Sequence, residues 1–264
     1  MPRAKLCLVM ADSNDQNCHL CKRNRPLCNS HIISEFLYKP LYDSKGRLFG
    51  MSTEEGTGQP FDIIQKGLRE HLLCQCCETQ LSRYENYARD LFYNDRLRVD
   101  GQPTSEVQGL DYKKLRLFFI SILWRSSISS LPFFRSVNLG PHEETARRMV
   151  CNENPNPWWM YGCALSDIAE YDNNQRGVII QPVTSKEGGH HHFLYVLGGF
   201  LWHYVVSSHR EEWAVETLFL KQDGSMIVTS QNPDTIPFLQ KLKVELDKQG
   251  KLGELIDQYG NGEA

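Results

Sequence analysis

The chain has 264 residues, 41% hydrophobic and 23% charged, with a formal net charge of −3. This composition excludes a disordered, collagen-like or coiled-coil chain, and it leaves one large or two small domains with apolar surface for a sizeable core. No run reaches the roughly 18 apolar residues of a membrane helix, and MPRAKLCLVMADSND lacks the features of a signal peptide, so a cytoplasmic protein that touches no membrane is expected.

In chain order, residues 14–36 read as a tight turn, Cys18–His19–Leu20–Cys21, followed by a short strand that ends near Ile32 and Ile33. Residues 40–62, with KGR and EEGTGQP, read as a linker or as a lid over a site. Residues 63–98 read as two helical pieces. Ile63, Ile64, Leu68 and Leu72 lead into Cys74, and then Leu81, Tyr84, Ala88 and Leu91 follow helical spacing. Ser82 has capping-box spacing to Glu85. A turn-rich break at 99–109 precedes an apolar core helix, 112–129, that stops before Pro132. Lys113, Lys114 and Arg116 read as its solvated edge.

A further helix is expected over 141–151, opening with Pro141 and two glutamates. From about 158 the period changes to strands: 177–182, 193–206 and 213–220, with an Asp223-Gly224 hairpin turn before 226–229. A helix over 235–248 turns Ile236, Leu239, Leu242 and Leu246 inward. His190–His192 lie in a strand, where alternation lets at most two share a side, so they read as strand residues rather than a metal tract. Trp158 and Trp159 read as core, with base stacking as the alternative.

The oddity is nine cysteines, an odd count with no export signal, six of them within 18–28 and 74–77. Clustered thiols in a reducing compartment point to metal rather than to disulfides. Cys18/Cys21 and Cys74/Cys77 form two CxxC pairs, a closed four-thiolate set suited to structural zinc. Cys76 competes with its neighbours, and Cys28 and His19 are second-choice ligands. Charge is uneven too. Residues 1–150 hold 21 Lys/Arg against 17 Asp/Glu, and residues 151–264 hold 8 against 15. The basic excess falls short of a nucleic-acid footprint by itself, and Lys22, Arg23 and Arg25 beside the first pair are the best candidates for phosphate contacts, with a solvated basic turn as the alternative.

The order CxxC, then SHIIS (Ser30–Ser34), then LLCQCCE (Leu72–Glu78) resembles the HNH, or ββα-metal, endonuclease superfamily on its treble-clef zinc scaffold. The resemblance covers about residues 15–95. It implies a zinc-bound module over 1–98. With the helices and strands read above, the expected protein is α+β, its second domain an α+β unit over 99–264 whose sheet would span about 158–230. The resemblance also implies a metal-dependent nuclease with His31 as general base activating water, a role suited to a group that titrates near neutrality. Ser30 and Glu78 stand where the family places cation ligands. The resemblance therefore implies Glu78 as ligand to catalytic Mg²⁺ or Mn²⁺, and Glu85, two helical turns on, as a second ligand or as the group orienting His31. For His31 the alternative is a core histidine, and for Glu85 a capping role with Ser82.

The expected substrate is nucleic acid, DNA in preference to RNA, in a setting of bacterial or phage genome conflict. The acidic C-terminal domain would meet a protein partner or a second copy. The alternative is a non-catalytic zinc-stabilised module that binds nucleic acid or protein.

Overall fold

A computed structural model describes residues 17–39, 42, 47–51, 61–65, 67–169, 179–210 and 214–248, with 47–51 and 61–65 described by backbone alone. The fold is mixed α and β. The knuckle at Cys18–Cys21 leads into β1 (Leu27–His31), which pairs antiparallel with β4 (Arg69–Cys74). Helix α1 (Gln75–Tyr93) follows β4 without a loop.

Between β1 and β4 the chain makes β2 (Arg47–Met51) and β3 (Phe61–Gln65). These two strands belong to a different sheet of eight strands. Its remaining members are β5 (Thr104–Val107), β6 (Gly162–Asp167), β7 (Ile179–Glu187), β8 (His190–Leu197), β9 (Phe200–Val206) and β10 (Met226–Ser230), in the order β3-β2-β7-β8-β9-β6-β10-β5. Pairs β2–β7 and β6–β10 are parallel, and the others are antiparallel.

Helices α2 (Tyr112–Ile128) and α3 (His142–Cys151) pack with α1 over one sheet face, and α4 (Pro237–Lys248) covers part of the other. Alternation explains the division. Phe193, Tyr195, Leu197, Trp202, Tyr204 and Val206 point into the main core with α2, while Val196 and Leu201 pack with Leu239, Leu242 and Leu246 of α4. Trp202 is the centre of the first layer, stacked on Phe92 at 5.6 Å and edge-on to Phe119 at 5.3 Å. The main cluster runs from Cys18 to Val228, so one core spans the expected boundary at residue 98.

Several expectations change. The first helical piece, 63–74, is β3 and β4, split by Gly67 at φ +76°. A side chain there would also strike the Tyr38 hydroxyl, since an added Cβ would lie 2.4 Å from it. The sheet is not confined to 158–230, because β2 and β3 lie within the expected 40–62 linker and at its edge, and β5 lies in the 99–109 break. The rest of that linker, residues 40, 41, 43–46 and 52–60, lies outside the described residues, as does Cys7. Ser82 caps nothing: it sits inside α1, with its hydroxyl donating to the Thr79 carbonyl.

The run 193–206 is two strands, because Gly198 and Gly199 both take positive φ and make a hairpin turn. The 213–220 strand is instead a 3-10 helix, Ala214–Leu218, where the Thr217 hydroxyl donates to the Ala214 carbonyl at 2.7 Å. The Asp223-Gly224 turn is present, but only its second arm is a strand. Arg116 is not on a solvated edge. It is 2% exposed and donates to the carbonyls of Pro155, Pro157, Met160 and Tyr161.

On the α4 side of the sheet, His192 Nδ1 and His203 Nε2 lie 2.9 Å apart. Burial, then the charge of His192, pushes the His203 imidazole down to about 4. The ordinary value near 6.5 applies to the unfolded chain, so the unfolded state takes up more protons below it. Stability is unaffected above pH 6.5 and is lost as pH falls towards 4, by about 3 kcal/mol for a shift of this size. Urea midpoints should therefore drop between pH 6.5 and 4, and His203→Asn should flatten that slope.

A candidate metal centre beside a hairpin–helix site

The knuckle is a turn closed by Lys22 N–H to Cys18 O at 2.8 Å and Cys18 N–H to Arg23 O at 2.9 Å, with Lys22 in the left-handed region at φ +59°. It is docked on β4 by His19 N–H to Leu72 O at 3.0 Å. This docking sets the first CxxC pair against the second, which begins at the last residue of β4 and ends in the first turn of α1. Three of the thiols, those of Cys18, Cys74 and Cys77, are buried.

All four sulfurs lie within 4.8 Å of one another. The Cys18–Cys77, Cys21–Cys74 and Cys74–Cys77 separations are 3.6, 3.8 and 3.6 Å. A tetrahedron with zinc–sulfur bonds of about 2.3 Å has edges of about 3.8 Å. The donor set therefore fits a tetrahedral ion such as zinc. Contact with Cys77, helped by backbone N–H groups of Cys21 and Cys74, draws the Cys18 thiol down to about 4 against the effect of burial. The same contact pushes the Cys77 thiol up, and burial raises Cys21. A bare cluster thus ionises once readily and resists a second ionisation, which an ion would relieve.

The second-choice ligands are elsewhere. Cys28 Sγ faces Gln75 Oε1 at 3.5 Å, and the exposed Cys76 Sγ accepts from Arg25 Nη1 at 2.9 Å. Arg25, expected at a phosphate, is thus engaged with a thiol, while Lys22 and Arg23 are exposed.

His31 is the last residue of β1, opposite Arg69. Its Nε2 is buried without a hydrogen-bond partner among the described residues, 4.0 Å from Glu35 Oε1. Burial first, and Arg69 second, push its imidazole down to about 4. It is therefore neutral at physiological pH and able to accept a proton. Glu78 is in the first turn of α1, where a carboxylate suits the helix dipole. Its Oε1 is likewise buried without a partner, and burial raises its carboxyl while the nearby Ser30 hydroxyl opposes the shift. Glu85 and Arg125 act electrostatically on both His31 and Glu78, so the two candidate residues share one neighbourhood.

Glu85 is itself held. It accepts from Ser34 Oγ at 2.7 Å and from Arg125 Nη2 at 2.9 Å. Arg125, on α2, is 1% exposed, and its Nη1 donates to the His31 carbonyl at 2.7 Å. Sequence reasoning missed Arg125. Its signal was a guanidinium directly after the apolar run 117–124 of α2, since a charge there must find buried partners.

Among the described residues the four cysteines are the one group of three or more His, Cys, Asp or Glu side chains close enough to hold a metal. Glu78 stands apart from that group, a single carboxylate with one oxygen unpartnered among the described residues. No helix among the described residues is long and apolar enough to cross a membrane. No protein-family model, no curated protein and no solved structure matches this chain.

Metal analysis should find one zinc per chain. Cys18→Ser and Cys77→Ser should lose it and lower the melting temperature by roughly 10 °C or more, since about 1 kcal/mol is worth 2–4 °C at this size. Zinc retention against a chelator should weaken as pH falls, because the thiols must lose protons to bind. Arg125→Met leaves the Glu85 carboxylate without its buried partner and should cost about 3–5 kcal/mol in chemical denaturation, with partial recovery in Arg125→Met/Glu85→Gln.

Proposed function

We propose that this chain is a zinc-stabilised, metal-dependent nucleic-acid endonuclease of HNH type, acting on DNA in preference to RNA. The observation that carries this reading is two buried polar atoms, His31 Nε2 and Glu78 Oε1, without hydrogen-bond partners among the described residues. One is at the end of β1 and one at the start of α1, where the four-cysteine cluster also sits. Such orphan atoms cost free energy in a purely structural role, so a site that uses them explains their retention.

Zinc on Cys18, Cys21, Cys74 and Cys77 would clamp the knuckle to the start of α1 and so set the spacing of the site. His31, neutral, accepts a proton from water at Nε2, with the Glu35 carboxylate 4.0 Å from that same nitrogen. The water oxygen bonds to phosphorus as a P–O ester bond breaks, and the leaving oxygen takes up a proton from solvent. A divalent cation held by Glu78 supplies charge stabilisation to the phosphate when bound. Arg125 and Glu85 hold the His31 backbone and α1 in place, which makes them positioning residues. Lys22 and Arg23 on the exposed knuckle are available to phosphates.

A second reading, a binding module with a decayed site, is favoured by one specific observation: both orphan atoms are shielded from solvent, and Glu85 is committed to Arg125. Cleavage of plasmid, single-stranded DNA and RNA with Mg²⁺ or Mn²⁺ separates the two. The nuclease should lose about 10²–10⁴-fold in rate with His31→Ala, at unchanged zinc content and melting temperature. Its activity should hold from neutral pH down to about 5 and fall towards 4, where His31 protonates. No cleavage of any substrate would sink the nuclease reading and leave the binding module.

A further inference from the structure

The β7–β8 hairpin carries a second feature, apart from the hairpin–helix site. Lys186 and His191 are direct cross-strand partners, and Thr184 pairs with Phe193 two residues along. Opposed residues, and those two apart, share a face, so these four line one wall. The opposite wall is the segment 136–141, which precedes α3 and is tied to β7 by the Ser136 hydroxyl donating to the Pro182 carbonyl at 2.6 Å. Between the walls lies a cavity of about 480 Å³, within the size range of small-ligand sites.

The lining is chemically one-sided. Lys186 and His191 bring cationic or donor nitrogens, and Thr184 and Asn138 bring neutral polar groups. No carboxylate lines the cavity among the described residues. Glu187, one residue on, falls on the other face by alternation, and Glu143 is turned to the Ser127 hydroxyl at 2.7 Å. Lys186 is exposed and makes no ion pair among the described residues. His142, at the start of α3, is within electrostatic reach of His191, which helps hold its imidazole neutral after burial. An anion would therefore enter a site already short of negative charge.

The apolar part of the lining fits the rest of such a ligand. The His191 ring lies nearly parallel to Phe193, at 18° and 6.4 Å between centroids, and Phe193 is buried. His191 is thus backed by a rigid aromatic and presents a flat face beside its own donor nitrogen. We propose that this cavity binds a phosphate-bearing ligand of nucleotide size, with Lys186 and His191 on the phosphate and the His191 face beneath the base. The source is either a free mononucleotide or the phosphorylated end of a strand. This inference stands independently of the nuclease reading, because it uses none of the residues of that site.

Calorimetric titration of the full, zinc-loaded chain tests it with four probes: AMP, adenosine, a 5′-phosphorylated DNA tetranucleotide and the same tetranucleotide with a 5′-hydroxyl. At least one phosphorylated probe should bind, at least tenfold more tightly than its unphosphorylated counterpart. Lys186→Glu, a surface change, and His191→Asn, at a half-buried position, should each weaken that binding tenfold or more at unchanged melting temperature. Binding of AMP identifies a free nucleotide as the ligand, and binding of the tetranucleotide alone identifies a strand end. The proposal is overturned if neither phosphorylated probe binds at millimolar concentration. Equal binding of phosphorylated and unphosphorylated probes, or affinity unchanged in both variants, also overturns it.

Discussion

A buried guanidinium forces its surroundings into order, because an uncompensated charge away from water is prohibitively unfavourable. Arg125 imposes that constraint here. It leaves the last turn of the apolar helix α2 and reaches the His31 carbonyl, the Glu85 carboxylate and the hydroxyls of Ser34 and Ser121. One side chain thereby fixes three elements, α2, α1 and the end of β1. The N-terminal hairpin–helix unit is consequently not a free-standing finger appended to a larger domain. Its geometry is completed by a residue some ninety positions away in sequence, and the continuous core from Cys18 to Val228 agrees with that dependence.

The cysteine cluster supplies the complementary constraint at the N-terminal end of α1. The knuckle is held to β4 by backbone bonds, and the start of α1 is held through Cys74 and Cys77. Between the cluster and Arg125 the first three turns of α1 have little freedom. Glu78 and Glu85 both lie on that restrained stretch, one with an unused oxygen and one fully engaged. The contrast separates their roles more clearly than their shared helical face does. Arg147 extends the same bracing by donating to the Leu20 carbonyl of the knuckle from α3.

Much of this was legible in the sequence where a single physical signal dominated. The four cysteines announced themselves by spacing, α2 by a run that is apolar all round, and α4 by its periodic leucines. The errors arose where two signals coincided. Ile63, Ile64, Leu68 and Leu72 mimic helical spacing across two short strands, and only Gly67 marked the break. Strands β2, β3 and β5 are short; β2 and β5 join the sheet through partners far away in sequence and β3 joins it through β2, so local pattern did not reveal them. Arg125 was hidden for the same reason: its partners come from β1, α1 and α2, and no window of sequence contains them all. The face-by-face division of the three histidines followed directly from alternation, with His191 on one side and His192 meeting His203 on the other.

The order of strands in the large sheet has a consequence for how the chain is made. Among the described residues β5 takes its strand neighbour from β10 alone, and β6 reaches β10 in parallel, so residues near 105 and 165 wait for residues near 228. Until the last strand emerges, one margin of the sheet presents unpaired backbone, a surface prone to pairing with other chains. The knuckle, β4 and α1 can assemble long before that point. The metal-ready unit can therefore order before β10 is available, and this margin of the sheet is sealed only with that strand. A ribosome that stalls before β10 leaves an ordered metal-ready unit beside an adhesive edge.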